Sequence, residues 1–177
     1  MSFNGIWHTS FTVSDIEASI RFYCDLLGME LYHQQEQQNE YTSRLVAYPN
    51  AHLKVAMLKL KNAFVGPSYH HLELVEYVHP RGEKTDVSTN RAGAPHLAFV
   101  TDDIFGDFAR LSAAGVRFKA DAPIEIVAGV NKGGYTIYFL DPDDITLEMS
   151  QPPPGRIRAS YEGQEIPLHL SLREDKL

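Results

Sequence analysis

The chain is poor in cysteine, and this scarcity limits both its location and its chemistry. Cys24 is the one cysteine among 177 residues, so no intrachain disulfide can form, which favours a reducing compartment. Cys24 falls within a predicted amphipathic helix that places no His or Lys at helical spacing to activate the thiol. We therefore expect Cys24 to be a small core residue and not a nucleophile.

Long apolar runs and clustered positive charge are also missing. No stretch approaches the ~20 apolar residues of a membrane-spanning helix, and the opening segment MSFNGIWHTS lacks the basic and apolar regions of a secretory signal. The formal charge of −7, with basic residues scattered along the chain, disfavours binding to nucleic acid phosphates. We expect a cytoplasmic protein whose partner is neither a membrane nor a nucleic acid.

What the sequence does contain is a repeat. His8, in a β-rich segment, stands seven residues before Asp15, which has the position of a helix N-cap, and His96 stands seven residues before Asp103 in the same way. Each predicted helix ends at a glycine, and each half closes on a strand with Glu between two apolar residues. Because several features recur at matched offsets, the sequence predicts two copies of one unit of strands and a helix.

The repeat divides the chain into a first module at residues 1–80, a linker loop at 81–93 and a second module at 94–150. Residues 151–177 form a tail whose three consecutive prolines prevent it from extending a sheet. Residues 40–48 are ambiguous between strand, helix and turn. Hydrophobic periodicity predicts helices at residues 16–27 and 104–114, and strands at 6–13, 29–35, 52–60, 69–77, 96–101, 116–119, 124–130, 135–140 and 145–149.

Two carboxylates occupy unusual places in this pattern. Glu73 lies in the strand segment HLELVEY and Glu148 in the segment ITLEM, each between apolar neighbours. Because side chains alternate along a strand, both glutamates face away from the apolar residues beside them. If those apolar residues pack under the helices, each glutamate lies on the concave side of a sheet. A carboxylate enclosed there is costly unless it is paired or bound to a metal.

Each of these glutamates belongs to a half that also has a histidine on its first strand. The combination of imidazole and carboxylate donors suits a divalent Zn, Ni, Co, Fe or Mn ion. We therefore expect His8, Glu73, His96 and Glu148 to bind one metal ion. Four protein ligands on a six-coordinate ion leave two neighbouring positions for substrate oxygens, as in a catalytic site.

Four segments, HTSFTVSDIEASIRFYCDLLGMEL, HLELVEY, GAPHLAFVTDDI and YFLDPDDITLEM, resemble the vicinal oxygen chelate superfamily. This group includes glyoxalase I, methylmalonyl-CoA epimerase, extradiol dioxygenases and the fosfomycin and bleomycin resistance proteins. The resemblance covers residues 5 to 150. It implies an α+β fold in which two βαβββ modules form a cupped mixed sheet, a homodimer, and metal ligands at His8, Glu73, His96 and Glu148.

The ligand pattern discriminates among members of that superfamily. Four ligands of the His-Glu-His-Glu kind resemble bacterial glyoxalase I, whereas methylmalonyl-CoA epimerases typically have Gln where Glu73 stands. Extradiol dioxygenases typically use two His and one Glu on Fe(II), and a fourth protein ligand at Glu73 takes a position that O2 would need. The turn DPDD at residues 141–144 departs from the usual DPDG, which argues against a close match to glyoxalase I, although Asp tolerates left-handed geometry.

The sequence thus predicts a metal-dependent lyase or isomerase that moves a proton alpha to a carbonyl of a small oxygenated substrate. Glu148 and Glu73 are the candidate catalytic bases, since a ligand carboxylate can leave the ion and stay within reach. A ring-opening Fe(II) dioxygenase is the alternative, and a non-catalytic drug-binding protein is a further one. His71, on the same face as Glu73, either lines the pocket or lies at the strand edge in solvent.

Overall fold

The structure, a computed structural model, describes residues 6–61, 70–129 and 131–153, together with the backbone of 158–161 and 164–167. The chain divides into two compact units, Met1–Asp86 and Val87–Leu177. The division falls inside the predicted linker 81–93, and residues 80–95 contain neither helix nor strand. Within the described residues, no helix has the length and apolar composition to cross a membrane.

The first unit is a four-stranded mixed sheet with helices. Its strands have the order β1-β4-β3-β2, in which β1 is parallel to β4 and the other neighbours are antiparallel. Helix α1 continues directly into one π-helical segment. The elements are β1 (His8–Thr12), α1 (Ile16–Arg21), the π-helical segment (Phe22–Leu26), β2 (Met29–Gln37), α2 (Glu40–Val46), β3 (His52–Leu60) and β4 (His71–His79).

The second unit repeats this topology. Its sheet has the strand order β5-β9-β8-β6, in which β5 is parallel to β9, and β7 pairs with β8. This confirms the predicted α+β fold and its duplication. The elements are β5 (His96–Val100), α3 (Ile104–Ala113), β6 (Arg117–Phe118), β7 (Ile124–Glu125), β8 (Tyr135–Leu140) and β9 (Thr146–Gln151), followed by an antiparallel pair, β10 (Arg158–Tyr161) and β11 (Gln164–Pro167).

Equivalent aspartates start the first helix of each unit, as the sequence predicts. The Asp15 carboxylate accepts a hydrogen bond from Ala18 N at 3.0 Å, and the Asp103 carboxylate accepts one from Gly106 N at 2.9 Å. Each bond satisfies an amide that the first turn of a helix leaves without a partner. The isoleucine that follows each cap is fully buried, so the cap also fixes which helical face packs on the sheet.

One face of each sheet packs against the helices and forms the core. In β4, Leu72 and Leu74 are buried while Glu73 between them is only partly buried. In β9, Leu147 and Met149 are buried, and Glu148 is again only partly buried. The alternation predicted for both closing strands is therefore observed, and it leaves each glutamate on the face away from the helices.

The ambiguous segment 40–48 is resolved as helix α2. Asn39 caps it by accepting a hydrogen bond from Thr42 N at 2.9 Å, and the buried Thr42 hydroxyl donates to Gln37 at the end of β2. The helix ends at Ala47, which adopts a left-handed φ of 58°. The sequence alone did not distinguish helix from strand or turn in this segment, because the helix has only about two turns.

Three other expectations were inaccurate. The strand predicted at 124–130 is observed only as β7, and the apolar Ile124 and Val127 of that segment are exposed (Val130 itself lies outside the described residues). Strand β9 ends at Gln151, one residue into the predicted tail; 154–157, 162–163 and 168–177 lie outside the described residues. Cys24 is half-buried and not fully in the core, and its partial burial raises the pKa of its thiol.

The turn DPDD at 141–144 keeps the geometry that glycine would favour. Asp144 has a left-handed φ of 68°, and its carboxylate pairs with the Arg117 guanidinium. The buried Asp141 carboxylate accepts hydrogen bonds from Asp143 N at 2.9 Å and Ile145 N at 2.8 Å, which closes the turn. The ion pair with Arg117 accounts for an aspartate at a position that otherwise suits glycine.

We expect Asp144→Gly to be more stable than Asp144→Ala by about 1 kcal/mol, because only glycine adopts this φ without strain. Both variants lose the ion pair with Arg117, so their difference isolates the backbone effect. The measurement is the free energy of unfolding in urea. Equal unfolding midpoints for the two variants would contradict this account of the turn.

Candidate functional site

The register of β1 against β4 brings His8 and Glu73 together. His8 lies opposite His71, and Ser10 lies opposite Glu73, in the parallel pairing of the two strands. His8 Nε2 is 3.5 Å from Glu73 Oε2, and the two side chains are 36% and 23% exposed. The first unit therefore presents an imidazole nitrogen and a carboxylate oxygen side by side, reachable from solvent.

The register of β5 against β9 does the same in the second unit. His96 lies opposite Thr146, which is two residues before Glu148. In the same way, His8 lies opposite His71, which is two residues before Glu73. His96 Nε2 is 2.8 Å from Glu148 Oε2, and these side chains are 39% and 18% exposed. The two units thus build the same pair with the same strand offset.

The four predicted ligands are therefore found as two His–Glu pairs, one in each unit. We call the sheet surface that carries each pair the histidine face of that unit. Within the described residues, no cluster of three or more His, Cys, Asp and Glu side chains has the geometry to hold a metal ion. Each unit taken by itself supplies two donors.

On the first histidine face, His71 has a phenol as its partner. Tyr32 Oη lies 2.9 Å from His71 Nδ1, and the Lys59 ammonium lies 5.9 Å from the centre of the Tyr32 ring. Lys59 is balanced by Glu30, whose carboxylate is 3.5 Å away. Burial, followed by the positive charge of Lys59, lowers the pKa of His71, while burial and the charge of Glu73 raise the pKa of Tyr32.

On the second histidine face, Glu148 has a hydroxyl as its partner. The Thr136 hydroxyl donates to Glu148 Oε1, so both oxygens of this carboxylate are engaged. Tyr138 lies directly across the strand pair from Glu148, with its ring centre 5.1 Å from that of His96. Burial, and then the negative charge of Glu148, raise the pKa of Tyr138, which favours its neutral phenol.

Sequence reasoning missed the polar residues that surround the pairs. Thr136 and Tyr138 alternate with the buried Ile137 and Phe139 along β8, and this period of two was a readable sign that they share a face with Glu148. Tyr32 could not be found in this way, because β2 has a register shift between Leu31 and His33. His71 lines the histidine face and is partly buried, so it is not a solvent-facing edge residue.

The chemistry of the two pairs fits a divalent transition metal ion. Imidazole nitrogen and carboxylate oxygen are common ligands of Zn, Ni, Co, Fe and Mn. All four side chains are partly exposed at their sheet surfaces, so an ion can reach them. Glu148 additionally has an outer hydrogen-bond partner, as metal-binding carboxylates usually do.

Comparison with known proteins identifies one family for nearly the whole of the chain up to residue 149. Residues 5–149 match the Glyoxalase/Bleomycin resistance protein/Dioxygenase superfamily. The chain is 30% identical over 163 residues to a 2-epi-5-epi-valiolone epimerase of Actinomyces sp, covering 90% of this chain and 84% of that protein. It is 29% identical over 154 residues to a probable lactoylglutathione lyase of Vibrio parahaemolyticus, covering 85% and 93% of the two chains.

A solved structure shows the same fold. A glyoxalase family protein from Bacillus cereus superposes with a TM-score of 0.71 at 18% identity, covering 86% of this chain and 97% of that one.

We expect Glu73→Gln to lower the pKa of Tyr32 in metal-free protein, because a neutral amide no longer opposes formation of the phenolate. The pKa stays above the usual value for tyrosine, since burial is the larger cause of the shift. The measurement is a pH titration of 13C-labelled tyrosines by NMR, with the Tyr32 signal assigned from Tyr32→Phe.

The matched control is Glu76→Gln, on the same strand. Glu76 Oε2 accepts a hydrogen bond from Ile16 N of α1, on the opposite face of the sheet from Tyr32. This substitution should leave the Tyr32 titration unchanged. If both glutamine variants shift it equally, Glu73 does not act on Tyr32 through proximity.

Proposed function

Because the chain belongs to the Glyoxalase/Bleomycin resistance protein/Dioxygenase superfamily, we propose that it is a divalent-metal-dependent enzyme of the lyase or isomerase kind. Its reaction moves a proton alpha to a carbonyl of a small oxygenated substrate. The observation that carries the proposal is the duplicated His–Glu pair, built at the same strand offset on the histidine face of each unit. The names of the relatives, an epimerase and a lactoylglutathione lyase, fall within this class of chemistry.

In the proposed enzyme His8, Glu73, His96 and Glu148 together hold one Ni, Co, Zn, Mn or Fe ion. The ion, when bound, acts as a Lewis acid that stabilises negative charge developing on the substrate carbonyl oxygen. Two units supply two donors each, taken from one chain or from the two copies of a homodimer. We propose the homodimer as the functional assembly.

The protein's own groups carry the proton. Glu73 or Glu148 removes the hydrogen from the carbon next to the carbonyl, and the resulting carboxylic acid returns it. Return to the neighbouring carbon gives an isomerase or lyase, and return to the opposite face of the same carbon gives an epimerase. The neutral phenol of Tyr138, whose pKa is raised, is available as a hydrogen-bond donor to a substrate oxygen, whereas the phenol of Tyr32 already contacts His71.

The other activities of the superfamily have less support in these residues. An extradiol dioxygenase needs open positions on Fe(II) for both catechol and O2, and the Glu73 carboxylate competes for one of them. A drug-binding protein without chemistry has no need of two His–Glu pairs. The named enzyme relatives are a lyase and an epimerase, which favours proton transfer over oxygen chemistry.

The proposal predicts that the protein binds a divalent ion stoichiometrically and uses it for proton transfer. We expect deuterium to exchange into the carbon next to the carbonyl of lactoylglutathione or of 2-epi-5-epi-valiolone, in D2O, only with metal-loaded protein. The measurements are elemental analysis and proton NMR of each compound. Chelator-treated protein that exchanges either compound as fast as loaded protein would contradict metal dependence.

The glutamates can be tested one at a time. We expect each of Glu73→Gln and Glu148→Gln to lose either metal or proton exchange, because an amide neither accepts a proton at neutral pH nor binds these ions as well as a carboxylate. Glu76→Gln, on the helix face of β4, serves as control. If both variants keep the metal and exchange at the wild-type rate, neither glutamate is the base.

A further inference from the structure

The second histidine face carries a lysine whose neighbours are uncharged. From its position we infer that Lys119 binds a negatively charged group of the substrate, a carboxylate or a phosphate, beside the oxygens that the ion holds. This inference rests on the proposed function and adds to it the chemical class of the substrate, a carbonyl compound that also carries an oxyanion.

The pairing of the strands sets the position of Lys119. This residue directly follows β6, and its backbone N donates to the backbone oxygen of Tyr138 in β8 at 2.9 Å, so the pairing continues through Lys119. The Lys119 side chain therefore lies on the same side of the sheet as Tyr138, which is the histidine face. Its ammonium lies 5.9 Å from the centre of the Tyr138 ring.

The ammonium extends as far as the strand that carries Glu148. Lys119 Nζ donates to Thr146 Oγ1 at 2.7 Å, and Thr146 is fully buried. Thr146 lies two residues before Glu148 and opposite His96, at the spacing of about 4.8 Å that separates neighbouring strands. The hydrogen bond to Thr146 therefore holds the positive charge beside the His96–Glu148 pair.

The first unit makes the corresponding contact with a phenol. Tyr32, on the edge strand β2, contacts His71, which is the residue opposite His8. In the second unit the contact joins Lys119 to the residue opposite His96. A long side chain from the edge of the sheet thus meets the equivalent residue in both units, and its charge is what differs between them.

Other cations on the two histidine faces are neutralised by carboxylates. Lys59 pairs with Glu30 at 3.5 Å, and Arg117, two residues before Lys119, pairs with Asp144. Among the described residues, the partners of the Lys119 ammonium are a hydroxyl and an aromatic ring, both uncharged. An ammonium has three protons to donate, and the hydroxyl takes one of them. Lys119 is exposed, so a ligand can reach the others.

The charge of the proposed site favours an anion. A divalent ion cancels the charges of Glu73 and Glu148, whereas Lys119 adds one positive charge. An anionic group of the substrate restores neutrality and forms a charge-assisted hydrogen bond with the ammonium, which is stronger than a bond between neutral groups. Lys119 therefore selects a substrate that has an oxyanion close to the reacting carbonyl.

The experiment uses small probes that bind a metal ion through the two adjacent oxygens of a hydroxamate. Acetohydroxamic acid has no further charged group, the monohydroxamate of malonic acid adds a carboxylate, and phosphonoacetohydroxamic acid adds a phosphonate. Dissociation constants are measured from the visible spectrum of cobalt-loaded wild type, Lys119→Met, Lys119→Arg and a control, Lys54→Met. Lys54 lies opposite Glu76, on the helix side of the first sheet.

We expect wild type to bind at least one anionic probe about tenfold more tightly than acetohydroxamic acid, as a hydrogen bond between charged groups permits. Lys119→Met should bind the three probes with nearly equal affinity, because methionine keeps the length of the side chain without its charge. Lys119→Arg and Lys54→Met should keep the preference. The anionic probe that binds more tightly identifies the group as a carboxylate or a phosphate.

Equal affinity of wild type for the three probes would overturn the inference while leaving the proposed function intact, and so would an unchanged preference in Lys119→Met. A wild-type protein that binds no metal would instead overturn the proposed function, on which the inference rests.

Discussion

The parallel pairing of β1 with β4 and of β5 with β9 is the constraint on which the candidate site depends. In the pairing of β1 with β4, His8 lies opposite the residue two before Glu73. In the pairing of β5 with β9, His96 lies opposite the residue two before Glu148. A shift of one residue would turn every side chain of a strand to the opposite face. The buried apolar residues beside each glutamate, Leu72 and Leu74 in β4 and Leu147 and Met149 in β9, prevent such a shift, so the core and the site are fixed by the same register.

Much of this arrangement is accessible from the sequence, because strand periodicity and helix capping are local signals. Asp15 and Asp103 predict the helix starts, and Glu73 and Glu148 stand out because each interrupts an apolar strand. The repeat predicts the duplicated fold more specifically than any single motif does. The family resemblance agrees with the superfamily match over residues 5–149, and the fold agrees with that of the similar solved structure.

What the sequence could not supply depends on contacts between residues far apart in the chain. The bond from Thr136 to Glu148 requires two neighbouring strands in a particular register, and the contact of Tyr32 with His71 requires a shift in β2. Helix α2 has only seven residues, too few for hydrophobic periodicity to predict it. These are also the features that distinguish the two units, so the sequence shows the repeat more clearly than it shows the asymmetry.

Membership of a superfamily with many activities does not select one of them, and the donor atoms on the two histidine faces carry the functional argument. The most direct test of the central claim is anomalous diffraction from crystals of the protein loaded with Zn or Ni. The account predicts one strong peak bonded at about 2.0–2.2 Å to nitrogens of His8 and His96 and oxygens of Glu73 and Glu148. An ion bound by other residues, or by only one of the two pairs, would contradict it.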